Sequence, residues 1–284
     1  LNAALEQATG EYVGMLDHDD VLDCRAVDEF SIAVEAAGRP DAVYSDEDKI
    51  DSRGAHFELY CKPDFSPELL LTQMYLCHFT VFRTERVKAI GGLRTEMDGA
   101  QDFDLALRLL PELQSVVHLP RPLYYWRAWS ESTAQSIDAK PWAQEAAARA
   151  QRDHLERTFA GGSVTPSAVR GLNDVHPAVA GDPVVSVIIP TIGTRNEEGT
   201  ARHVDIAVNS LLQAETSATL EIVVVTTGVI PDVPVEFHGK HRVKHVVYST
   251  DAFNFSEAIN TGRAAATGEY LLLLNDDTSV AESN

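Results

Sequence analysis

Long apolar runs are missing from this 284-residue sequence. A helix that spans a bilayer needs about 20 consecutive apolar residues, and the cleanest stretches here, such as Val184 to Ile189, are strand-sized. Cysteine is scarce. Cys24, Cys61 and Cys77 form an odd set without C-x-x-C spacing, which argues against a disulfide framework or a zinc site and fits reduced cytosolic thiols. Basic residues are also short, with 23 Lys and Arg against 43 Asp and Glu and a formal charge of −20. Wrapping a nucleic-acid backbone needs clustered cations, so that partner class is disfavoured. A phosphorylated small molecule is not, because a metal can mediate the contact. The first residues do not read as a signal peptide, and the sequence opens on Leu1 rather than methionine.

What is present is a repeated acidic motif. Tyr12 to Leu16 is an apolar run that reads as a buried strand and feeds into Asp17-His18-Asp19-Asp20. Carboxylates spaced i, i+2 at a strand end share one side of the chain and can hold a hard divalent cation. The stretch from Ala8 recurs from Ala266 at a constant offset of 258, ending in Asn275-Asp276-Asp277. The chain is therefore expected to begin inside one copy of a module and end inside another, as a fragment of a longer protein.

In the first copy, Asn2 to Gln7 reads as a helix tail. Asp23 is read as the N-cap of a helix with Val27, Phe30 and Val34 on its apolar face. Ala42 to Tyr44 is a short strand running into Asp46-Glu47-Asp48, which is either a solvated turn or part of an acceptor side. Asp102 and Asp104 fall at a helix N-terminus, where the helix dipole favours carboxylates and where one could also act as a general base. Two strands, Val116 to Leu119 and Leu123 to Arg127, precede an amphipathic helix from Lys140 to Phe159. Gly and Pro between Gly161 and Pro183 read as an interdomain connector.

Beyond it, the strand Val184 to Thr191, a helix through Val204, Ala207, Val208, Leu211 and Leu212, and the strand Glu221 to Val225 make a right-handed crossover with a parallel sheet. Ligands in such sheets bind at the carboxyl ends of the strands. Asn254 and Glu257 are spaced as a capping box. The fold class is α/β, with a first module over 1–160, a linker over 161–183 and a second module over 184–284.

The ordered set of motifs resembles a bacterial tandem glycosyltransferase of family 2 with the GT-A, Rossmann-like nucleotide-diphospho-sugar fold. The set comprises Ala8 to Tyr12, Leu16 to Asp20, Tyr44 to Asp51, Lys62 to Asp64, Gln101 to Arg108 and Leu123 to Arg127, then Val185 to Thr191, Phe253 to Ser256 and Gly268 to Asp277. The resemblance implies two incomplete modules and an inverting transfer of a sugar from a nucleotide-diphosphate donor to a glycan or lipid-linked glycan hydroxyl. It implies Asp17 and Asp19 as ligands of Mg²⁺ or Mn²⁺ at the diphosphate, with Asp277 as the corresponding ligand in the second module. Asp102 matches the catalytic base. Trp126 and Arg127 match a motif near the donor phosphates, Pro190, Thr191 and Asp276 match donor-side positions, and Asp46 and Asp48 lie on the acceptor side.

Surface polysaccharide synthesis in the cytoplasm, with peripheral association at the inner face of the membrane, completes what the resemblance implies. Tyr125 departs from the histidine frequent in the family, and Thr226-Thr227 replaces an expected aspartate. Since each module lacks a half, the 284-residue chain alone is expected to be inactive while its parent is active. The competing readings are a degenerate sugar-nucleotide-binding or scaffolding module, and a nucleotidyltransferase. The latter would need a glycine-rich loop, and Pro190 to Arg195 does not supply one.

Overall fold

The computed structural model describes residues 1–128, 141–228, 237–248 and 252–281. They form two compact units, Leu1–Ala178 and Val179–Asn284, and both are mixed α/β.

The first unit runs α1 (Asn2–Gln7), β1 (Tyr12–Gly14), β2 (Val21–Leu22), α2 (Ala26–Ala36), β3 (Ala42–Ile50), β4 (His56–Tyr60), α3 (Pro67–Thr72), β5 (Thr80–Arg83), α4 (Thr84–Ala89), α5 (Gln101–Leu109), β6 (Val116–Arg127), α6 (Pro141–Phe159), β7 (Gly162–Pro166) and β8 (Asn173–Pro177). Its main sheet has the order β1-β5-β3-β6-β2, with β4 paired to β3. β3 and β6 run parallel, and the register shifts between Ser45 and Glu47. The two strands expected over Val116–Arg127 are thus one, accommodated by that irregularity at Pro120-Arg121.

Several expectations change here. β1 is shorter than Tyr12 to Leu16 and sits at the sheet edge, where Leu16 is 49% exposed rather than buried. Beside β1 lies an apolar hollow of about 320 Å³ lined by residues that include Leu5, Val13, Leu16 and Phe82. Asp46, Glu47 and Asp48 are not a solvated turn. They continue β3, the central strand, and all three are buried. Helix α2 buries Ala26, Phe30 and Ala33, whereas Val27 faces solvent. Asp23 is not the N-cap, a position held by Arg25 without a side-chain cap; it accepts the Arg25 N–H and the hydroxyl of Tyr125 just ahead of the helix. The supposed connector contains the β7–β8 hairpin, whose Asn173 bonds the side chain of Gln151 on α6, so the first unit extends to Ala178.

The second unit runs β9 (Val184–Pro190), α7 (His203–Gln213), β10 (Thr219–Thr226), β11 (Phe237–His238), β12 (His241–Val247), α8 (Phe255–Ala265) and β13 (Tyr270–Leu273). Its sheet has the order β11-β12-β10-β9-β13, parallel except for β11. The continuous Val/Ile runs of β9 and β10 are buried, as a sheet with helices against it requires. Val204, Ala207, Val208 and Leu211 of α7 pack on them as their spacing predicts.

Asn254 caps α8 by accepting the Glu257 N–H, but its own N–H goes to the Tyr248 hydroxyl, so the reciprocal half of the capping box is replaced. Gly262 sets how closely α8 approaches the sheet. A Cβ there would lie 2.4 Å from Ile188 Cγ2 and 2.9 Å from Val225 Cγ2. Gly262→Ala, which by helix propensity alone would stabilise by about 1 kcal/mol, is expected instead to destabilise by about 1–3 kcal/mol through overpacking. Urea unfolding followed by circular dichroism tests this, and a variant as stable as the parent would refute the packing argument.

Candidate active site

In the first unit, the carboxyl ends of β1 and β6 meet around the acidic loop. Asp20, which the sequence reading did not single out, anchors it. Its carboxylate accepts the Tyr124 hydroxyl and, at 2.8 Å, the Arg127 N–H. Burial raises the Asp20 carboxyl above its usual range, with these bonds pulling the other way. Arg127 Nε donates to the Asp19 carbonyl at 2.8 Å. With Asp20 engaged, Asp17 stays exposed and Asp19 half-exposed at the tip. The structure therefore brings Arg127 to the motif, its backbone N–H bonding the Asp20 carboxylate and its guanidinium the Asp19 carbonyl. Tyr125, where the family often has histidine, is turned to Asp23.

Asp102 opens α5 and is half-buried. It lines a cavity of about 320 Å³ together with Gln73, Met74, Cys77, His78 and Asn173, among others. Burial raises the Asp102 carboxyl. The Phe103 N–H and the charge of His78 oppose that rise, while the charge of Asp17 adds to it. Asp17 and Asp102, 85 positions apart in sequence, thus share one electrostatic environment. A carboxylate with a raised pKa lining a cavity is a suitable proton acceptor. Asp104, its neighbour, is not available: it is 1% exposed and clamped by Arg94 and Arg108.

Beneath the loop lies a buried polar layer on β3. Asp46 accepts the Lys62 N–H and pairs with His118 Nε2, each at 2.8 Å, and Asp48 pairs with His56 Nδ1 at 2.9 Å. Glu47 accepts the His78 N–H at 2.5 Å and lies 3.1 Å from His78 Nδ1 and 3.2 Å from Lys62 Nζ. Trp126 sits against His78, with ring centroids 4.4 Å apart, and Lys49 Nζ lies 5.3 Å from the Trp126 ring. Sequence reasoning passed over Glu47, Lys62 and His78 as individual residues. Their signal was three charged groups near strand-forming stretches, which a single sequence cannot tell from surface residues.

Two groups could be considered for a metal. Asp17 and Asp19 offer hard oxygen donors at an open strand end, which suits Mg²⁺ or Mn²⁺. Ligand atoms of Glu47, Cys77 and His78 lie within 4.8 Å of one another, but this trio fits such a cation poorly. The Lys62 ammonium already neutralises Glu47, Cys77 Sγ donates to the Met74 carbonyl, and burial pushes the thiol well above its usual range.

In the second unit, the equivalent end of the sheet places Thr191, which follows Pro190, against Asp276. Thr191 is 1% exposed, and its hydroxyl donates to Asp276 Oδ2 at 2.5 Å and accepts the Gly193 N–H at 2.9 Å. Asp277 is exposed. At the opposite, amino end of the strands, Glu221 is fully buried and receives the Ser186 hydroxyl, the Thr267 N–H at 2.7 Å, Arg242 at 2.6 Å and Lys244 at 2.7 Å.

Residues 186–284 match the family described as Glycosyl transferase family 2. An uncharacterized protein of Sinorhizobium fredii, y4gI, is 36% identical over 290 residues, covering 98% of this chain and 31% of that protein. The O-antigen biosynthesis protein RfbC of Myxococcus xanthus is 32% identical over 283 residues, covering 99% of this chain and 22% of that protein. A solved structure of S. aureus TarS 1-349 in complex with UDP-GlcNAc has a TM-score of 0.39 at 15% identity, over 56% of this chain and 52% of that one. The chain spans less than a third of the length of these two curated relatives.

Proposed function

From the glycosyl transferase family 2 domain that this chain carries at residues 186–284, we propose that the protein transfers a sugar from a nucleotide-diphosphate donor to a glycan hydroxyl, with inversion, in polysaccharide synthesis. The observation that carries the reading is in the first unit: Asp17 is exposed with Asp19 half-exposed beside it, and the charge of Asp17 acts on Asp102, which lines a cavity. Asp17 and Asp19 would hold Mg²⁺ or Mn²⁺, which supplies positive charge to the diphosphate leaving group. Asp102 accepts the proton of the attacking hydroxyl. Arg127 and Asp20 hold the acidic loop in place. Trp126 and Arg127 form the donor side. Asp46 and Asp48 belong to the acceptor side as its buried floor, since their carboxylates are taken up by Lys62, His118 and His56.

In the second unit, Pro190, Thr191, Asp276 and Asp277 take the donor-side positions. Asn275 is neutral and Asp276 is bonded to Thr191, which favours nucleotide-sugar binding over turnover in that unit. No helix among the described residues is long and apolar enough to cross a membrane, and a place at the cytoplasmic face, beside a lipid-linked acceptor, is part of the proposal.

Titration calorimetry with UDP-GlcNAc and Mn²⁺ on the full-length protein is the direct test. Asp17→Asn combined with Asp19→Asn is expected to weaken Mn²⁺-dependent binding at least tenfold, about 1.4 kcal/mol. Equal binding with and without the two carboxylates would refute the metal assignment.

A further inference from the structure

His78 has the geometry of a working group rather than a packing residue. Its Nδ1 is committed to Glu47, at 3.1 Å from Oε2, and its backbone N–H goes to the same oxygen. Its ring is stacked on Tyr124 at 5.4 Å and tilted against Trp126 at 4.4 Å. Three partners on two strands therefore fix the ring. Nε2 makes no hydrogen bond among the described residues and is not sealed from solvent. The residue lines the same cavity as Asp102.

We propose that His78, held by Glu47, is a positioning residue for Asp102: a fixed positive charge in the lining of the same cavity that keeps the aspartate in its proton-accepting form. A carboxylate lining a cavity loses solvation and tends to protonate. A cation built into the wall counters that tendency without filling the cavity. A lysine would reach across it, whereas an imidazolium braced by Glu47 and two aromatic rings stays in the wall.

The titratable and charged groups around the pair are Glu47 on β3, Lys62 after β4, Cys77 beside the ring, Asp102 on α5, Asp20 and Asp17 in the acidic loop, and Tyr124 on β6. Burial works against the His78 imidazolium, but the hydrogen bond and charge of Glu47 outweigh it, with Asp102 and Asp20 adding, so His78 titrates above its usual range. Glu47 itself is held below its usual range: burial opposes this, and His78 and Lys62 overcome it. Lys62 lies against Glu47 as well, so the carboxylate has a second cationic partner besides His78.

The inference rests on the sugar-transfer reading only for calling Asp102 a base, and its main test does not involve turnover. The Asp102 carboxyl is followed by ¹³C NMR against pH in the full chain, with His78→Gln and Glu47→Gln. Both variants are expected to raise the Asp102 midpoint by about one pH unit, the scale of losing a nearby opposite charge. A midpoint unchanged in both folded variants overturns the proposal. If either fails to fold, the reciprocal measurement serves: Asp102→Asn is expected to lower the His78 midpoint, and no movement there is equally fatal.

A kinetic arm in the full-length protein separates the two levels. If transfer occurs and the acid limb of kcat/KM ignores His78→Gln, the positioning role is overturned. If the carboxyl midpoint moves but no transfer is found, the pairing stands and the sugar-transfer reading fails.

Discussion

Asp102→Asn is expected to lower sugar transfer by the full-length protein by about 10²- to 10⁴-fold, the range associated with loss of a general base, while leaving donor binding and the fold intact. Asparagine keeps the size of the side chain and can still accept the Phe103 N–H that Asp102 accepts at 2.8 Å. What it loses is the ability to take a proton. The pH profile of the parent carries the same signature. Burial sets the Asp102 carboxyl above its usual range, and the reaction needs the charged form. Activity should therefore be full at pH values above that raised midpoint and fall as pH drops through it, earlier than for an exposed aspartate. Transfer by the variant within tenfold of the parent would remove Asp102 from the chemistry, and an acid limb near the ordinary aspartate value would remove the argument from burial.

The second large effect is on stability. Glu221→Ala is expected to cost the second unit about 3–5 kcal/mol, the cost of removing one member of a buried charged cluster. The variant takes a carboxylate from Lys244 and Arg242, which keep the Ala265 carbonyl and the Thr267 hydroxyl, and frees the Ser186 hydroxyl and the Thr267 N–H, which Glu221 ties together at the foot of the sheet. Gly268 closes the same knot. Its N–H donates to Ser186 Oγ at 2.8 Å, and a Cβ there would lie 2.6 Å from that atom.

Burial alone would raise the Glu221 carboxyl, but Lys244, Ser186 and Thr267 lower it from 4.5 to about 2. Because the folded-state value is depressed, the contribution is complete above the unfolded value and is lost as pH falls through about 2. Denaturant unfolding of parent and variant at neutral pH measures the loss. A difference under about 1 kcal/mol would place the cluster among ion pairs that contribute little.

What the sequence showed and what it hid follow a physical line. Local signals survived: the apolar period of α7, the buried runs of β9 and β10, Asn254 as a cap, and Asp102 in the first turn of α5. Each depends on residues a few positions apart. The errors involved distant partners. Asp46, Glu47 and Asp48 look like a solvated turn until Lys62, His78, His118 and His56 are brought in to neutralise them. Gly161 to Pro183 has the composition of a connector, yet it forms a hairpin because Asn173 finds Gln151 on α6.

The strand-end motif was legible as two carboxylates, but its division of labour was not. Asp20 anchors the loop only because Tyr124 and Arg127 arrive from a strand more than a hundred residues later. Glu221 left no trace in the sequence at all, since one glutamate before an apolar run is ordinary.

The margins of the two sheets bear on how this chain behaves in solution. β1 ends one sheet beside an apolar hollow, and β13 ends the other with Tyr270, Leu271, Leu272 and Leu273 between 42% and 56% exposed. Strands placed this way offer ready pairing surfaces to other molecules. The formal charge of −20 opposes that contact through mutual repulsion between chains. Repulsion of this kind reaches only about 10 Å at 0.1 M salt, so light scattering by the 284-residue chain is expected to rise as salt is added, and scattering independent of salt would refute the argument.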